Sequence, residues 1–398
     1  SDGLVLGEQT ASDRFGGAAD MSRLTITVDQ TTISTDGDES RGFVINGFGD
    51  GATNSDAGTL VENLNVTTQG VNAVGVTLNT GSEGASNSFF TTAADNITVN
   101  TAGNGATGFI LNSGTGRVST GTSRYTTIFD NTSVTTAGEN ADGIVLGPGL
   151  GEDDGNLPAF PNPTNTLAVG TGVSATTSGD NSHALVVSEN TVLALLSAGN
   201  PDSRITNLEN FIATGSGSRS VQNNGTLQTG PTGEVFTPGS GVRGNIATSG
   251  TIEGSGAHAL VYDAAANSDD LFELQPGGVV NGNVLAGNGT DTFVLGGDGD
   301  DSFDHTLLGT QYQGFELFVK EDSSTWTLIG VDSAAAFLPG TISGGTLIVD
   351  PMLSSFDVDV QVGATLAGMV GVRSAYVAGI FTPGCVVTAA YFSVAVDL

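Results

Sequence analysis

A thirteen-residue pattern recurs along the first two thirds of the chain, and it limits the fold more than any other feature. It reads as an aliphatic residue, two hydroxylic or amide residues, any residue, Gly, two variable residues, a small Ala or Ser, any residue, another small residue, then an apolar stretch. Clear copies run over Ile33–Ile45, Val66–Leu78, Val99–Leu111 and Val134–Leu146, and a fifth over Ala175–Val187 has Ala184 in the second small position. Weaker copies are Phe211–Asn223 and Gly254–Tyr262. The recurring glycines are Gly37, Gly70, Gly103, Gly138, Gly179, Gly215 and Gly254, at spacings of 33, 33, 35, 41, 36 and 39. A fixed kernel with a drifting period is the mark of a solenoid whose insertions collect in loops.

Each kernel position has a physical reading. The aliphatic before the hydroxylic pair and the apolar run after the small residues are two strands, and the Gly between them is expected at a turn needing positive φ. Ser40, Ala73, Ala106, Ala141, Ser182, Ser218 and Ala257 are expected at an inward corner with room for little more than a methyl group. Rungs stacked about 4.8 Å apart align equivalent side chains in ladders. The pairs Thr67-Thr68, Thr135-Thr136 and Thr176-Thr177 predict such a ladder, interrupted at Asn100-Thr101. A Thr ladder suits ice or glycan only if its face is flat and unbroken; otherwise it is a β-branched surface strand.

Composition agrees with an all-β solenoid. The chain of 398 residues has 60 Gly and only 10 basic residues, with Lys320 the sole lysine, so long amphipathic helices lack their usual residues. Disorder is opposed by the 38% hydrophobic content, set in short Val, Ile, Leu and Phe runs between Gly, Asn and Asp. A net charge of −32 argues against nucleic acid and anionic lipid as partners, and favours cations or neutral glycans. Cys385 is the one cysteine, which rules out an intrachain disulfide. No run nears the ~18 apolar residues of a spanning helix. The Ser-Asp-Gly start is what a mature chain reads after signal-peptide removal, or a trimmed one.

The segments Ala286–Val294 and Gly296–Asp304 each resemble the calcium-binding nonapeptide of RTX proteins. The resemblance puts carboxylates at Asp291 and Asp301 and inward aromatics at Phe293 and Phe303; Asp298 and Asp300 are added as candidate ligands of a weak calcium ion. Two nonapeptides supply half the pairs of one complete site, and Leu295 breaks the nine-residue register, so an acidic turn-rich connection competes with the calcium reading. No cofactor is otherwise required. His183 and His258 share a kernel position, with Arg219 at that position in the copy between them, and His305 stands apart, which excludes a zinc or Cys/His site. No serine elbow or Ser-His-Asp context is visible, and no catalytic residue can be named. A polysaccharide lyase would need Lys or Arg to polarise a uronate, and here basic residues are scattered singly.

From Gly289 onward the chain resembles the C-terminal part of autotransporter passenger domains, the type V secretion proteins of pertactin type. The residues carrying the likeness are Asp291–Asp298, Ser302–Ile329 with its Tyr312-Gln-Gly-Phe-Glu and Ser324-Thr-Trp-Thr-Leu segments, Gly344–Val349, and Val362–Gly384. The resemblance implies a right-handed parallel β-helix with a C-terminal cap of passenger type, in which Tyr312, Phe315 and Trp326 would be the large residues. It also implies export to the surface of a Gram-negative cell. A translocating β-barrel of the kind found in such proteins, the one expected membrane contact, is missing, since only Cys385 to Leu398 follow Pro383-Gly384.

The expected organisation is an N-terminal cap over 1–32, a repeat β-helix over 33–270, Gly/Asp-rich rungs over 271–310, passenger-type rungs and cap over 311–384, and a divergent tail over 385–398 that reads as an apolar edge strand. The expected function is contact: adhesion to a glycan or cell-surface ligand, self-association, or an extracellular layer or filament. A polysaccharide-active β-helix enzyme and a calcium-dependent secreted β-roll are the alternatives. The insertion from Gly147 to Thr166 is the expected functional loop.

Overall fold

The computed structural model describes residues 2–6, 23–46, 56–79, 89–113, 124–148, 165–169, 173–189, 192–194, 211–216, 218–229, 245–262, 267–330, 338–349, 356–368, 371–383 and 388–394. The chain is nearly all β, built of long parallel sheets with no closed barrel. It divides into two units, Ser1–Phe236 and Thr237–Leu398. Among the described residues no helix is long and apolar enough to cross a membrane.

In the N-terminal unit the strands before the kernel turn make one sheet. Arg23–Thr35, Asp56–Thr68 and Phe89–Thr101 pair in parallel along their length, and Ser133–Thr136, Ser174–Thr177 and Phe211–Ala213 follow. The strands after the turn make a second sheet, from Leu4–Leu6 and Arg41–Asn46 through Val74–Asn79, Phe109–Ser113, Ile144–Pro148, Leu185–Val187 and Val221–Asn223. The register follows the sequence pattern. Ile33, Val66, Val99, Val134, Ala175 and Phe211 stack in one buried column, and Phe43, Val76, Phe109, Ile144, Leu185 and Val221 in another. Burying each large member contributes about 1.5–3 kcal/mol, which an isolated repeat could not obtain. Within 1–32, Arg23–Thr35 is already a full strand of the first sheet.

The kernel glycine is required by close approach, not by positive φ as expected. A Cβ on Gly70, Gly103, Gly138, Gly179 or Gly215 would lie 1.9–2.0 Å from the carbonyl oxygen of the glycine one rung earlier. Positive φ falls two residues later, on Glu39, Asn72, Gly105, Asn140 and Asn181, between 52° and 68°. Asn tolerates this left-handed conformation better than most residues, which explains its recurrence there. The small residues do fill an inward corner: Ser40, Ala73, Ala106, Ala141, Ser182 and Ser218 are all buried. The second hydroxylic residue also points inward at Thr35, Thr68, Thr101, Thr136 and Thr177, and in the last three it closes the turn. Thr101, Thr136 and Thr177 donate from Oγ1 to the carbonyls of Ala106, Ala141 and Ser182 at 2.7, 2.6 and 2.7 Å.

A second corner precedes the first four kernels. Gln30, Asn63, Asn96 and Asn131 take φ of 50°, 52°, 54° and 44°, bending the strand. Their amides tie neighbouring rungs together, as Asn63 Nδ2 donates to Asp29 (2.8 Å), Asn96 Nδ2 to Asn63 (2.6 Å) and Asn131 Nδ2 to Asp95 (2.9 Å).

In the C-terminal unit the geometry changes. Gly254 lies inside one strand, Thr251–Val261, with register shifts against Val279–Leu285 at Glu253/His258 and His258/Leu260; its nearest obstruction is the carbonyl of His258, not an earlier kernel glycine. One sheet runs from Asn245–Thr248 through Leu271–Leu274, Thr292–Leu295, Leu317–Lys320, Gly340–Ile342, Asp357–Val360 and Gly371–Val377 to Thr388–Val394. A second joins Asp300–Asp304, Thr325–Ile329, Thr346–Val349, Thr365–Gly368 and Ile380–Pro383. The rungs shorten: Phe293 pairs with Phe318, but Val358 with Ala375 and Ala375 with Phe392. The part of the tail that is described, Thr388–Val394, is thus one more rung in register.

Phe293 is the centre of this unit's core. Its ring lies 4.9 Å from Tyr312, 5.0 Å from Phe303, 5.7 Å from Phe315, 6.0 Å from Phe272 and 6.5 Å from Phe318. Trp326 is buried and donates from Nε1 to the carbonyl of Gly296 at 3.1 Å. The aromatic residues expected to be inward, Phe303, Tyr312, Phe315 and Trp326, are all buried.

Three substitutions test this packing by chemical denaturation. Gly138→Ala is expected to cost about 3 kcal/mol or more, because backbone is the obstruction, whereas Gly105→Asn, at a left-handed position, stays within about 1 kcal/mol. Phe293→Ala is expected to cost about 3–5 kcal/mol.

Candidate functional site

Five acidic residues of 267–322, Asp269, Asp291, Asp301, Glu316 and Asp322, accept from backbone amides of a neighbouring rung. Asp291 is buried; its Oδ1 accepts from the amide of Asp270 at 2.7 Å, and its own amide donates to Glu316 Oε2 at 2.8 Å. Asp270, Asp291 and Glu316 each precede the paired residues Leu271, Thr292 and Leu317; the carboxylates of Asp291 and Glu316 reach back one rung to bind an amide, and Asp270 Oδ2 accepts from the hydroxyl of Ser268 at 3.0 Å. Asp291 Oδ2 has no hydrogen-bond partner. Burial pushes this carboxyl above the usual range, opposed by the Asp270 amide and reinforced by the charges of Glu316 and Asp269.

The other three candidate ligands sit at the next turn. Asp301 accepts from the amides of Gly277 at 2.8 Å and Ser302 at 2.7 Å, and Asp298 accepts from the hydroxyl of Ser323. Asp300 is exposed at the start of its strand, opposite Thr325. Calcium takes six to eight oxygens. Among the described residues, the acidic group whose oxygens all lie within 4.8 Å of one another is Glu273, Glu321 and Asp322, and none of the four candidates belongs to it. Three of those four already accept hydrogen bonds from protein donors, two of them from backbone amides, which suits the turn-rich connection better than a shared ion.

Sequence reasoning missed the cluster around Lys320, because its members come from three rungs. Lys320 is fully buried and its Nζ donates to the carbonyls of Glu321 (2.6 Å), Gly344 (3.2 Å) and Asp322 (3.5 Å). The carboxylates of Glu273 and Asp322 close on Gly296, and Gly297 N donates to Asp322 Oδ2 at 2.8 Å. Burial lowers the Lys320 pKa to about 8 against the opposing pull of Asp322, Glu321 and Glu273. The one available signal was that the sole lysine falls where the paired strands carry Leu274, Leu295 and Ile342.

A polar column stands on the N-terminal unit. The Asp142 carboxylate accepts from the His183 amide at 2.7 Å, and His183 Nδ1 accepts from the Arg219 amide at 3.0 Å. Because Nδ1 is an acceptor, the neutral ring carries its proton on Nε2. Burial, then the Arg219 charge, lowers the His183 pKa to about 4. His183 and Arg219 are therefore structural neighbours in one ladder. His258 lies at the bulge in Thr251–Val261, and His305 is buried in a single 3-10 turn capped by Asp304. The insertion from Gly147 to Thr166 lies, except for its ends, outside the described residues, as does Cys385.

Two pH responses follow from linkage. The folded pKa of His183 is below its unfolded value, so stability present above about pH 6.5 is lost as pH falls towards 4; a falling protection factor of the Arg219 amide over that window checks it, and His183→Asn, which keeps an acceptor, removes the dependence. Lys320 also has a folded pKa below its unfolded value, so the unfolded chain binds more protons between pH 8 and 10.5 and stability rises with pH there. Fluorescence of Trp326, the one tryptophan, reports that unit, and Lys320→Met flattens the rise.

Compared with family models, with curated proteins and with solved structures, the chain gives no match.

Proposed function

We propose that the chain is a passenger of autotransporter type, a right-handed parallel β-helix displayed on or released from a Gram-negative cell, and that it acts by contact. The observation that carries the reading is the in-register run of parallel strands with outward columns repeated rung after rung. Such a surface offers many equivalent weak contacts, and multivalent attachment needs no single deep site. A further support is that the segments resembling passenger domains follow one another as consecutive rungs: Thr292–Leu295 and Leu317–Lys320 in one sheet, with Thr325–Ile329, Thr346–Val349 and Thr365–Gly368 in the other. Partners are a glycan or cell-surface ligand, or a second copy. Calcium acts by screening the net charge of −32 rather than by filling a site at Asp291, Asp298, Asp300 and Asp301.

Beads coated with the chain test this. They are expected to attach to one another or to a cell layer, and attachment is expected to rise with millimolar calcium or with salt as repulsion is screened. Absence of attachment under every ionic condition overturns the reading. Release of reducing or unsaturated sugar from a polysaccharide panel, abolished by removing one carboxylate, replaces it with the enzyme reading.

A further inference from the structure

The outward face of the first sheet in the N-terminal unit is a two-column array of uncharged hydrogen-bonding groups. On one side of the buried aliphatic column stand Ser34, Thr67, Asn100, Thr135 and Thr176. On the other stand Thr32, Asn65, Thr98, Ser133 and Ser174. All ten are exposed or half-buried, and every one is Ser, Thr or Asn. Asn100, expected to interrupt the Thr ladder, stands in line within it, so the column is continuous over five rungs and ends where Thr176 meets Ile212.

The ten side chains differ from their inward and corner neighbours in what they bond. The inward Thr101, Thr136 and Thr177 spend their hydroxyls on turn carbonyls, and the corner asparagines spend their amides on one another or on aspartate. The outward ten make no side-chain hydrogen bond within the described residues, so each keeps both donor and acceptor capacity for another molecule.

Charge decides what that molecule is. In a chain carrying 42 acidic residues, this face has none, yet acids border it on both sides: Asp29, Glu62 and Asp95 at the corner, and Asp38, Glu139 and Asp180 along the turn. A polyanion laid along the rungs would be repelled by both rims. A neutral polymer of hydroxyl groups would not, since its hydroxyls also donate and accept and find partners repeating every ~4.8 Å, near the rise of one sugar unit in an extended glycan.

We infer that this Ser/Thr/Asn face is a binding surface for a neutral polysaccharide, the polymer lying across the rungs and held by many weak hydrogen bonds. The inference rests on the contact reading and names its ligand class. With no aromatic residue among the ten, affinity comes from repetition, so long chains bind and short oligosaccharides do not.

The test is co-sedimentation of the full chain with insoluble neutral glucans, cellulose and curdlan, beside alginate as a polyanion. Retention is expected on at least one glucan and not on alginate. The double change Thr67→Val/Thr135→Val, which keeps shape and strand propensity, is expected to reduce retention at least tenfold with unchanged circular dichroism and melting, as is Thr67→Asp/Thr135→Asp. Thr365→Asp in the C-terminal unit leaves retention unaltered. No retention on either glucan, or retention indifferent to the Thr67/Thr135 changes, overturns the inference; so does shaping of ice crystals without glucan binding, which would make the array a water-ordering face. Bead attachment that persists without glucan binding sinks this inference alone, and loss of both sinks the contact reading as well.

Discussion

The N-terminal unit depends on backbone contact at the kernel glycine. Parallel rungs can stack in register through a tight turn only if the turn of one rung admits the carbonyl of the rung before it, and a Cβ at Gly70, Gly103, Gly138, Gly179 or Gly215 would occupy that space. Around this contact the rest of the kernel is determined. Ala or Ser fills the corner, an inward Thr closes the turn in three copies by bonding its carbonyl, and the aliphatic columns on either side align without a shift.

Much of this was legible because one rule acts at one offset in every copy. The strands, the small inward corner and the aliphatic columns all follow from the kernel, and six copies keep its register. The second corner is equally periodic, three residues before the aliphatic of the first four copies at Gln30, Asn63, Asn96 and Asn131, but it lies outside the thirteen-residue kernel. Other features were hidden in principle. Alternation beside the inward Val66 and Val134 puts Thr68 and Thr136 inward, but that Thr136 bonds the carbonyl of Ala141 while Thr68 Oγ1 has no partner depends on turn geometry that the pattern does not encode. The meeting of Glu273, Lys320 and Asp322 is set by rung lengths that shrink irregularly, so no spacing in the sequence encodes it.

The acidic residues show how one residue type serves two purposes. Around the nonapeptides, Asp291, Asp301 and Glu316 are anchors, each accepting from an amide of a neighbouring rung or of the next residue in the chain. Along the N-terminal unit, exposed and half-buried acids border a neutral floor and restrict what can approach it. The single lysine is withdrawn into the interior, where its donors meet carbonyls and its charge is opposed by burial. A strongly acidic composition thus coexists with a surface region that carries no charge.

The stacked turns have a consequence for how the chain identifies its own rungs. Each turn makes the same bonds to the next: the amides of Glu39, Asn72, Gly105, Asn140 and Asn181 donate to carbonyls at matching positions one rung on. A contact repeated without variation holds neighbours together but carries no address, since a copy displaced by one whole rung would meet the same glycine, the same corner and the same aliphatic column. What distinguishes one rung from another must therefore reside in the parts that do not repeat, among them the drifting lengths between kernels and the ring cluster about Phe293, where no second arrangement offers the same partners.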